Sequence, residues 1–341
     1  MANDVYVLGA GFSKAVHDAM PVLRELGGDV LDRLGDRRPA SFENLPVEDF
    51  ERWLSYLADE QPWLPEYQNA RNRADFLHVA TTLRDVLDER TRRARETPPC
   101  DWLLSLVRYW HRERATVITF NYDVLVEAAY LASVVVRSAY GGSDNYVDQS
   151  QLYPIPFTPI NARYGAALGS GPVDTLRLLK LHGSLNWLYS GRSDFAGETL
   201  YDLGIGRSWF DYGDVSMAAA MDKVPLIVPP TAAKSSFFRH ETVRGQWRLA
   251  AQALGAADRV ICMGYSLPPG DLVARFLLAT TMRGGATVSV VDRVDHVSQN
   301  YRDALPGCTI DGTFTGSDDA VEEYVATNCG ADEDAVVVMP E

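Results

Sequence analysis

The chain has 341 residues, 46% of them hydrophobic, and a formal net charge of −14 at pH 7. That length and apolar share suffice for a sizeable core, either one large α/β domain with an insertion or two smaller domains. No apolar run approaches the ~20 residues of a membrane span and the N-terminus lacks a basic-then-apolar leader, so a membrane protein is excluded and the cytoplasm is the expected location.

All 32 Lys and Arg lie at or before Arg302, whereas ten Asp and Glu follow it, which concentrates the acidity at the C-terminal end. Residues 331–341 read as an acidic tail, solvated and frayed, and direct nucleic-acid binding is not expected. The basic cluster Arg84, Arg90, Arg92, Arg93 and Arg95 is interleaved with Asp85, Asp88, Glu89 and Glu96, the pattern of a charged helix surface rather than a phosphate track. Cys100, Cys262, Cys308 and Cys329 are widely spaced and form no Cys-x-x-Cys pair, so they are expected to be reduced structural thiols and no metal is expected.

In chain order, residues 4–8 form an apolar strand that runs into Gly9-Ala10-Gly11-Phe12-Ser13, followed by a helix through 22–34. Glycines let a backbone turn sharply and approach a pyrophosphate, although the third glycine of the usual dinucleotide fingerprint falls at Lys14. A long helical pattern follows, read as an insertion over about 40–112. Residues 115–120 then read as a buried strand ending at Asn121, with a helix after it to about 131. An irregular excursion covers about 141–175 and serves equally as a packed surface segment or as a lid or oligomer contact. A strand over 176–181 ends at His182, a short strand follows at 184–189, and a second irregular excursion covers about 191–222. The last third alternates strands at 225–228, 260–263, 287–291 and 309–314 with helices at 241–254, 272–282 and 318–326. The expected architecture is therefore α/β, a Rossmann-like, mostly parallel sheet with helices on both faces, in a single domain over 1–330.

Three motifs stand in order along this pattern: Gly9-Ala10-Gly11-Phe12-Ser13, Thr119-Phe120-Asn121-Tyr122-Asp123 and Lys180-Leu181-His182-Gly183-Ser184. Together they resemble the sirtuin pattern. Ala19-Met20-Pro21-Val22-Leu23-Arg24 resembles the family's Gly-Ile-Pro-Asp-Phe-Arg segment, Gly264-Tyr265-Ser266-Leu267 stands in the place of its late Gly-Thr-Ser loop, and Asp292 stands where it contacts the adenosine ribose. Protein-deacylating members carry a zinc module of paired cysteines after the catalytic His, whereas 191–222 contains no Cys. The resemblance thus shifts to the bacterial sirtuin-like NAD hydrolases of antiphage systems, which implies NAD as substrate, no metal, and control by a homo-oligomer or by a separately encoded sensor such as an Argonaute or helicase-like ATPase. An NAD-dependent protein deacylase and a non-catalytic NAD or ADP-ribose sensor are the alternatives.

The residue types suit that chemistry. Nicotinamide leaves NAD from a cationic N-glycosidic bond without needing a proton, so the protein supplies orientation, stabilisation and an acceptor. Asn121 has a carbonyl acceptor and amide donors with which to fix the nicotinamide-side ribose and place a water. His182 is the general-base candidate, taking a proton from a ribose hydroxyl or from the attacking water. Asp123 either orients Asn121 or bonds a ribose. The resemblance puts Gly9, Ala10, Gly11, Phe12, Ser13, Gly264 and Ser266 around the phosphates. Arg24 belongs at the nicotinamide-side region or a phosphate, unless it makes a surface ion pair. Asp292 accepts from the adenosine ribose and disfavours a 2′-phosphate, with Arg293 beside it acting the other way.

Overall fold

The computed structural model describes residues 3–42, 46–137, 145–146, 149–155, 157–159, 174–189, 200–202, 223–231, 240–330 and 336–338. The strands, in chain order, are β1 (Asp4–Leu8), β2 (Thr116–Thr119), β3 (Val135–Arg137), β4 (Asn145–Tyr146), β5 (Thr158–Pro159), β6 (Arg177–Lys180), β7 (Gly183–Tyr189), β8 (Tyr201–Asp202), β9 (Val224–Ile227), β10 (Arg259–Met263), β11 (Thr287–Asp292), β12 (Thr309–Thr315) and β13 (Val336–Val338). The helices are α1 (Ala10–Val16), α2 (Leu23–Leu34), α3 (Phe50–Ala58), α4 (Glu66–Ala94), α5 (Asp101–Arg112), α6 (Leu125–Ser133), α7 (Glu241–Ala256), α8 (Leu272–Thr281), α9 (Val297–Ala304) and α10 (Ala320–Asn328), with short 3₁₀ turns between some of them.

Six strands form one parallel sheet in the order β12-β11-β10-β1-β2-β6. Parallel strands covered on both faces bury successive side chains on opposite sides, and these strands do so. Tyr6 and Leu8 of β1, Val117 of β2 and Leu178 of β6 enter a core shared with α5, α6 and α10. Their neighbours Val5, Val7, Ile118 and Leu179 enter a second core with α7, α8 and α9. The chain builds β1, β2 and β6 outward on one side, then returns to build β10, β11 and β12 on the other. Where the order reverses, between β1 and β10, the two connections diverge and leave a crevice beyond the strand ends, the usual ligand position in open α/β sheets. β12 closes one edge of the sheet, and its register with β11 slips between Ser289 and Val291.

The strand at 225–228 belongs elsewhere than the α/β alternation predicts. As β9 it pairs antiparallel with β7 in a second sheet of order β5-β8-β7-β9. β6 and β7 are adjacent in sequence yet lie in different sheets, joined only by Leu181 and His182. The joint needs glycine at 183: its φ is +78°, and a Cβ there would meet the Leu226 carbonyl oxygen at 2.0 Å.

The helical stretch also divides differently from the expected insertion. α5 packs on the main sheet as the crossover into β2, while α2, α3 and α4 make a third core through Leu26, Val30, Phe50, Leu54, Val79 and Leu83, which Tyr122 and Leu185 join to the site. A short helix, α1, starts at Ala10 inside the first glycine turn and carries Ser13, and α9 lies between β11 and β12. In place of a wholly frayed tail, Val336–Val338 pairs in parallel with β3. Most of both irregular excursions, 141–175 and 191–222, lies outside the described residues.

Candidate functional site

A cavity of about 910 Å³ opens over the β1/β10 crevice. Its walls include Gly9, Ala10, Gly11, Ser13, Arg24, Asn121, Asp123, His182, Gly264, Ser266 and Asp292, so the three motifs and the two later positions converge on one space. Phe12 does not join them. Its side chain is 1% exposed and packs edge-on against Trp102, with ring centroids 5.8 Å apart, because residue 12 of the short helix faces the core under the cavity.

The glycines of the first turn line the cavity and also make a contact across the crevice. The Gly9 N–H donates to the Met263 carbonyl (3.1 Å) and the Gly11 N–H to that of Gly264 (2.8 Å), which clamps the ends of β1 and β10 together. A Cβ on Gly9 would meet the Gly264 oxygen at 2.6 Å, and Gly264, at φ +58°, would meet the Phe12 nitrogen at 2.0 Å. The absent side chains thus let two loops touch across the crevice. Beyond Gly264, the carbonyls of Tyr265, Ser266 and Leu267 are bound by Tyr301 Oη (2.6 Å), Asn300 Nδ2 (2.9 Å) and Arg275 Nη1 (3.1 Å). These three bonds fix the course of the 265–267 backbone.

Asn121 stands at the end of β2, its side-chain nitrogen 2.8 Å from both the Gly9 carbonyl and Ser13 Oγ. A carbonyl only accepts, so the atom facing Gly9 is the NH₂, both its hydrogens are used, and Oδ1 is what the amide can offer a ligand. Ser13 Oγ in turn donates to Asp123 Oδ2 at 2.6 Å, while Asp123 Oδ1 takes the Leu125 N–H at 3.1 Å. Asp123 thus reaches Asn121 through Ser13 and also meets the start of α6 through the Leu125 N–H. Burial pushes the Asp123 carboxyl up, opposed by the Lys180 charge, by Ser13 and by the Leu125 N–H.

His182 is 5% exposed and ringed by aromatic groups: Phe120 at 5.2 Å, Tyr122 at 6.1 Å and Trp247 at 6.3 Å between centroids. Its carbonyl accepts the Val228 N–H (2.9 Å), and Trp247 Nε1 donates to the preceding carbonyl of Leu181 (2.9 Å). The imidazole is thus held in a largely apolar wall by its own backbone.

Asp292, at the end of β11, lines the far side of the crevice and accepts the Val294 N–H at 2.9 Å. Burial raises its carboxyl, with that N–H and Arg293 opposing. Arg24 sits on the cavity rim, where its exposed guanidinium pairs with Glu48 at 2.9 Å, the surface ion pair that its sequence position also permitted. All four cysteines are free thiols. Among the described residues no group of His, Cys, Asp or Glu is arranged to hold a metal ion, and no helix is long and apolar enough to cross a membrane.

Several lining or supporting groups carried no role in the sequence pattern. Tyr265 stacks on Phe120 (4.5 Å) and donates to Asp271 Oδ2 (2.9 Å), and both Tyr265 and Asp271 line the cavity, as does Glu51 from α3. Lys180 and Glu127, each 1% exposed, pair at 2.8 Å behind Asp123. A signal for Lys180 was present: a lysine inside the apolar run Leu178-Leu179-Lys180-Leu181, in a chain with only four lysines, demands a buried partner.

No protein-family model matches the chain, and no curated protein matches it. Among solved structures it is similar to a Sir2 homologue in complex with NAD at 13% identity, over 96% of this chain and 90% of that one, with a TM-score of 0.44. A Sir2 with p53 peptide and NAD+ is similar at 16% identity over 95% and 90%, with a TM-score of 0.40. Likeness at this level carries no argument about ligand or chemistry, which rest on the side chains described above.

Proposed function

We propose that the chain is an NAD hydrolase that cleaves the nicotinamide–ribose N-glycosidic bond to give nicotinamide and ADP-ribose. The observation that carries the reading is that Asn121 and His182, from the ends of β2 and β6, face the same cavity as the 264–267 loop and Asp292. The cavity volume of about 910 Å³ lies within the ~300–1,000 Å³ usual for small-molecule sites. Asp292 then accepts from the adenosine ribose, the 264–267 segment and Ser13 face the phosphates, and Asn121 Oδ1 receives a hydrogen bond from the nicotinamide-side ribose or from the attacking water. Bond cleavage leaves oxocarbenium character on that ribose. Oδ1, already aligned because both amide hydrogens are occupied, stabilises it without reorganisation. His182 takes the proton from the ribose hydroxyl or the water.

Unrestrained NAD hydrolysis would harm the cell that makes the enzyme. We therefore place the activity in an antiphage effector that depletes NAD, acts in the cytoplasm, and is held in check by self-assembly, by a separately encoded sensor such as an Argonaute or helicase-like ATPase, or by both. This wider role is supported by the resemblance of the three motifs.

The test is NAD consumption and product formation by the intact protein, alone and with its genomic-neighbour proteins during phage challenge. Wild type should release nicotinamide and ADP-ribose. Asn121→Ala and His182→Ala should each fold normally and lose turnover, by about 10²–10⁴-fold for the base. Full rates in both variants would overturn the site. NAD binding without turnover under every condition would overturn the hydrolase.

A further inference from the structure

Behind the Asn121–Asp123 turn lies a buried ion pair that the proposed reaction leaves unused. Lys180, the last residue of β6, sends its ammonium to the Asp123 carbonyl and, at 2.8 Å, to Glu127 Oε1 on α6. Glu127 Oε1 also accepts from Tyr153 Oη at 2.6 Å, and Asn186 Nδ2 donates to that hydroxyl (3.3 Å) and to Asp202 Oδ1 (2.9 Å). Ser184 Oγ bonds Asn186 Oδ1 at 2.6 Å, and the Tyr122 carbonyl takes the Leu185 N–H at 3.0 Å. The turn bearing Asn121 is thus fastened from below by Lys180 and β7, and from the side by Ser13.

Two buried charges carry a large desolvation cost, and an apolar pair of similar size often packs as well or better, so stability by itself is a weak account of this pair. Their placement supplies another reason. The chain Asn121 NH₂ to Ser13 Oγ to Asp123 Oδ2 runs in one direction only while Asp123 is an acceptor. A proton on Oδ2 would make Asp123 the donor and leave Ser13 Oγ accepting from both sides, so the hydroxyl hydrogen would lose the carboxylate that fixes its direction and the Ser13–Asn121 contact would lose its anchor. The groups facing Asp123 are Ser13 from α1, Lys180 from β6, and the Leu125 N–H and Glu127 from α6. Lys180 brings the one cation among them.

We propose that Lys180 is a positioning residue: its charge keeps Asp123 an acceptor, which sets the Ser13 hydroxyl and through it the face that Asn121 presents to the cavity. Glu127 tunes this from the opposite sign while satisfying the Lys180 ammonium. The proposal deepens the hydrolase reading, on which the role of Asn121 rests. Burial lifts the Asp123 carboxyl, Lys180 opposes the rise and Glu127 adds to it, so removing each charge moves Asp123 in opposite directions.

The experiment is an infrared titration of the protonated-carboxyl band of Asp123, assigned with Asp123→Asn, on the full chain without ligand. Glu127→Gln should lower its midpoint. Lys180→Met combined with Glu127→Gln, which removes both charges of the Lys180–Glu127 pair, should raise the midpoint above that of Glu127→Gln by about one to three pH units. The acid limb of NAD turnover should move in the same order, with turnover lost at higher pH in the double variant. Midpoints that stay fixed, or that move together, would overturn the proposal. If the double variant fails to fold, Lys180→Gln decides: a raised midpoint upholds the proposal and an unchanged one overturns it. Because the titration needs no NAD, opposite midpoint shifts in a protein that never consumes NAD would sink the hydrolase and spare the positioning role, and NAD consumption with fixed midpoints would do the reverse.

Discussion

The two sheets that meet at His182 bury different things. In the parallel sheet, neighbours such as Leu178 and Leu179 enter separate apolar cores, and the sheet serves as a frame that sets where strands end. In the second, mixed sheet, β7 starts directly after His182 and buries Ser184 (0% exposed) and Asn186 (4%) among Leu185 and Trp187. Its buried polar groups are bonded to the 121–123 turn and to Tyr153 and Asp202. An apolar frame fixes position without direction, whereas hydrogen bonds fix the orientation of donors and acceptors. The site stands at the junction because it uses both.

The most severe way to break this comparison is to break the joint. Gly183→Ala places a Cβ against the Leu226 carbonyl at a φ of +78° and should cost about 2–6 kcal/mol in urea unfolding, the strain and the overlap adding. A cost below 1 kcal/mol would mean that the joint yields freely. Next, Leu178→Ala in the frame should cost about 2–5 kcal/mol and leave NAD turnover per folded molecule unchanged. Asn186→Ala in the polar sheet should cost only about 1–3 kcal/mol yet lower turnover about 10- to 100-fold, because the turn above it loses its fastening. Equal effects on turnover would erase the distinction between the two sheets.

The smallest effect sharpens the frame's own exception, Asp292. Its folded carboxyl lies above the ordinary value, so the protonated form stabilises the fold at low pH and that contribution disappears as pH rises from about 4 through the raised value. Against Asp292→Asn, which does not titrate, wild type should lose ground over that window and hold a constant difference above it, read by unfolding across a pH series. A difference that stayed flat throughout would remove the burial cause.

Legibility in the sequence followed the same division. The parallel strands were readable because alternate burial on two faces leaves short apolar runs, and Asn121 and His182 were readable because each ends such a run. The helix α1 was not, since seven residues holding two buried side chains give less than two full turns of pattern. Placing Phe12 by its motif put it in the cavity, while the turn of α1 puts it in the core. An apolar strand at 225–228 carries no mark of the sheet it joins. The partnership of Lys180 with Glu127 spans 53 positions, beyond the reach of any local periodicity, though the odd lysine in its apolar run announced that a partner existed.

The slip between β11 and β12 bears on how the molecule behaves in a crowd. An outer strand with a straight row of open backbone groups invites another chain to add to it. Here the slip twists that row, and Asp311 turns its carboxylate onto the Thr313 N–H (3.0 Å) and hydroxyl (2.6 Å), bonds that hold it charged below its ordinary range. A second molecule arriving at this rim meets a curved strand, a negative charge and a donor already spent. Edge-to-edge addition of another strand through β12 is thereby disfavoured.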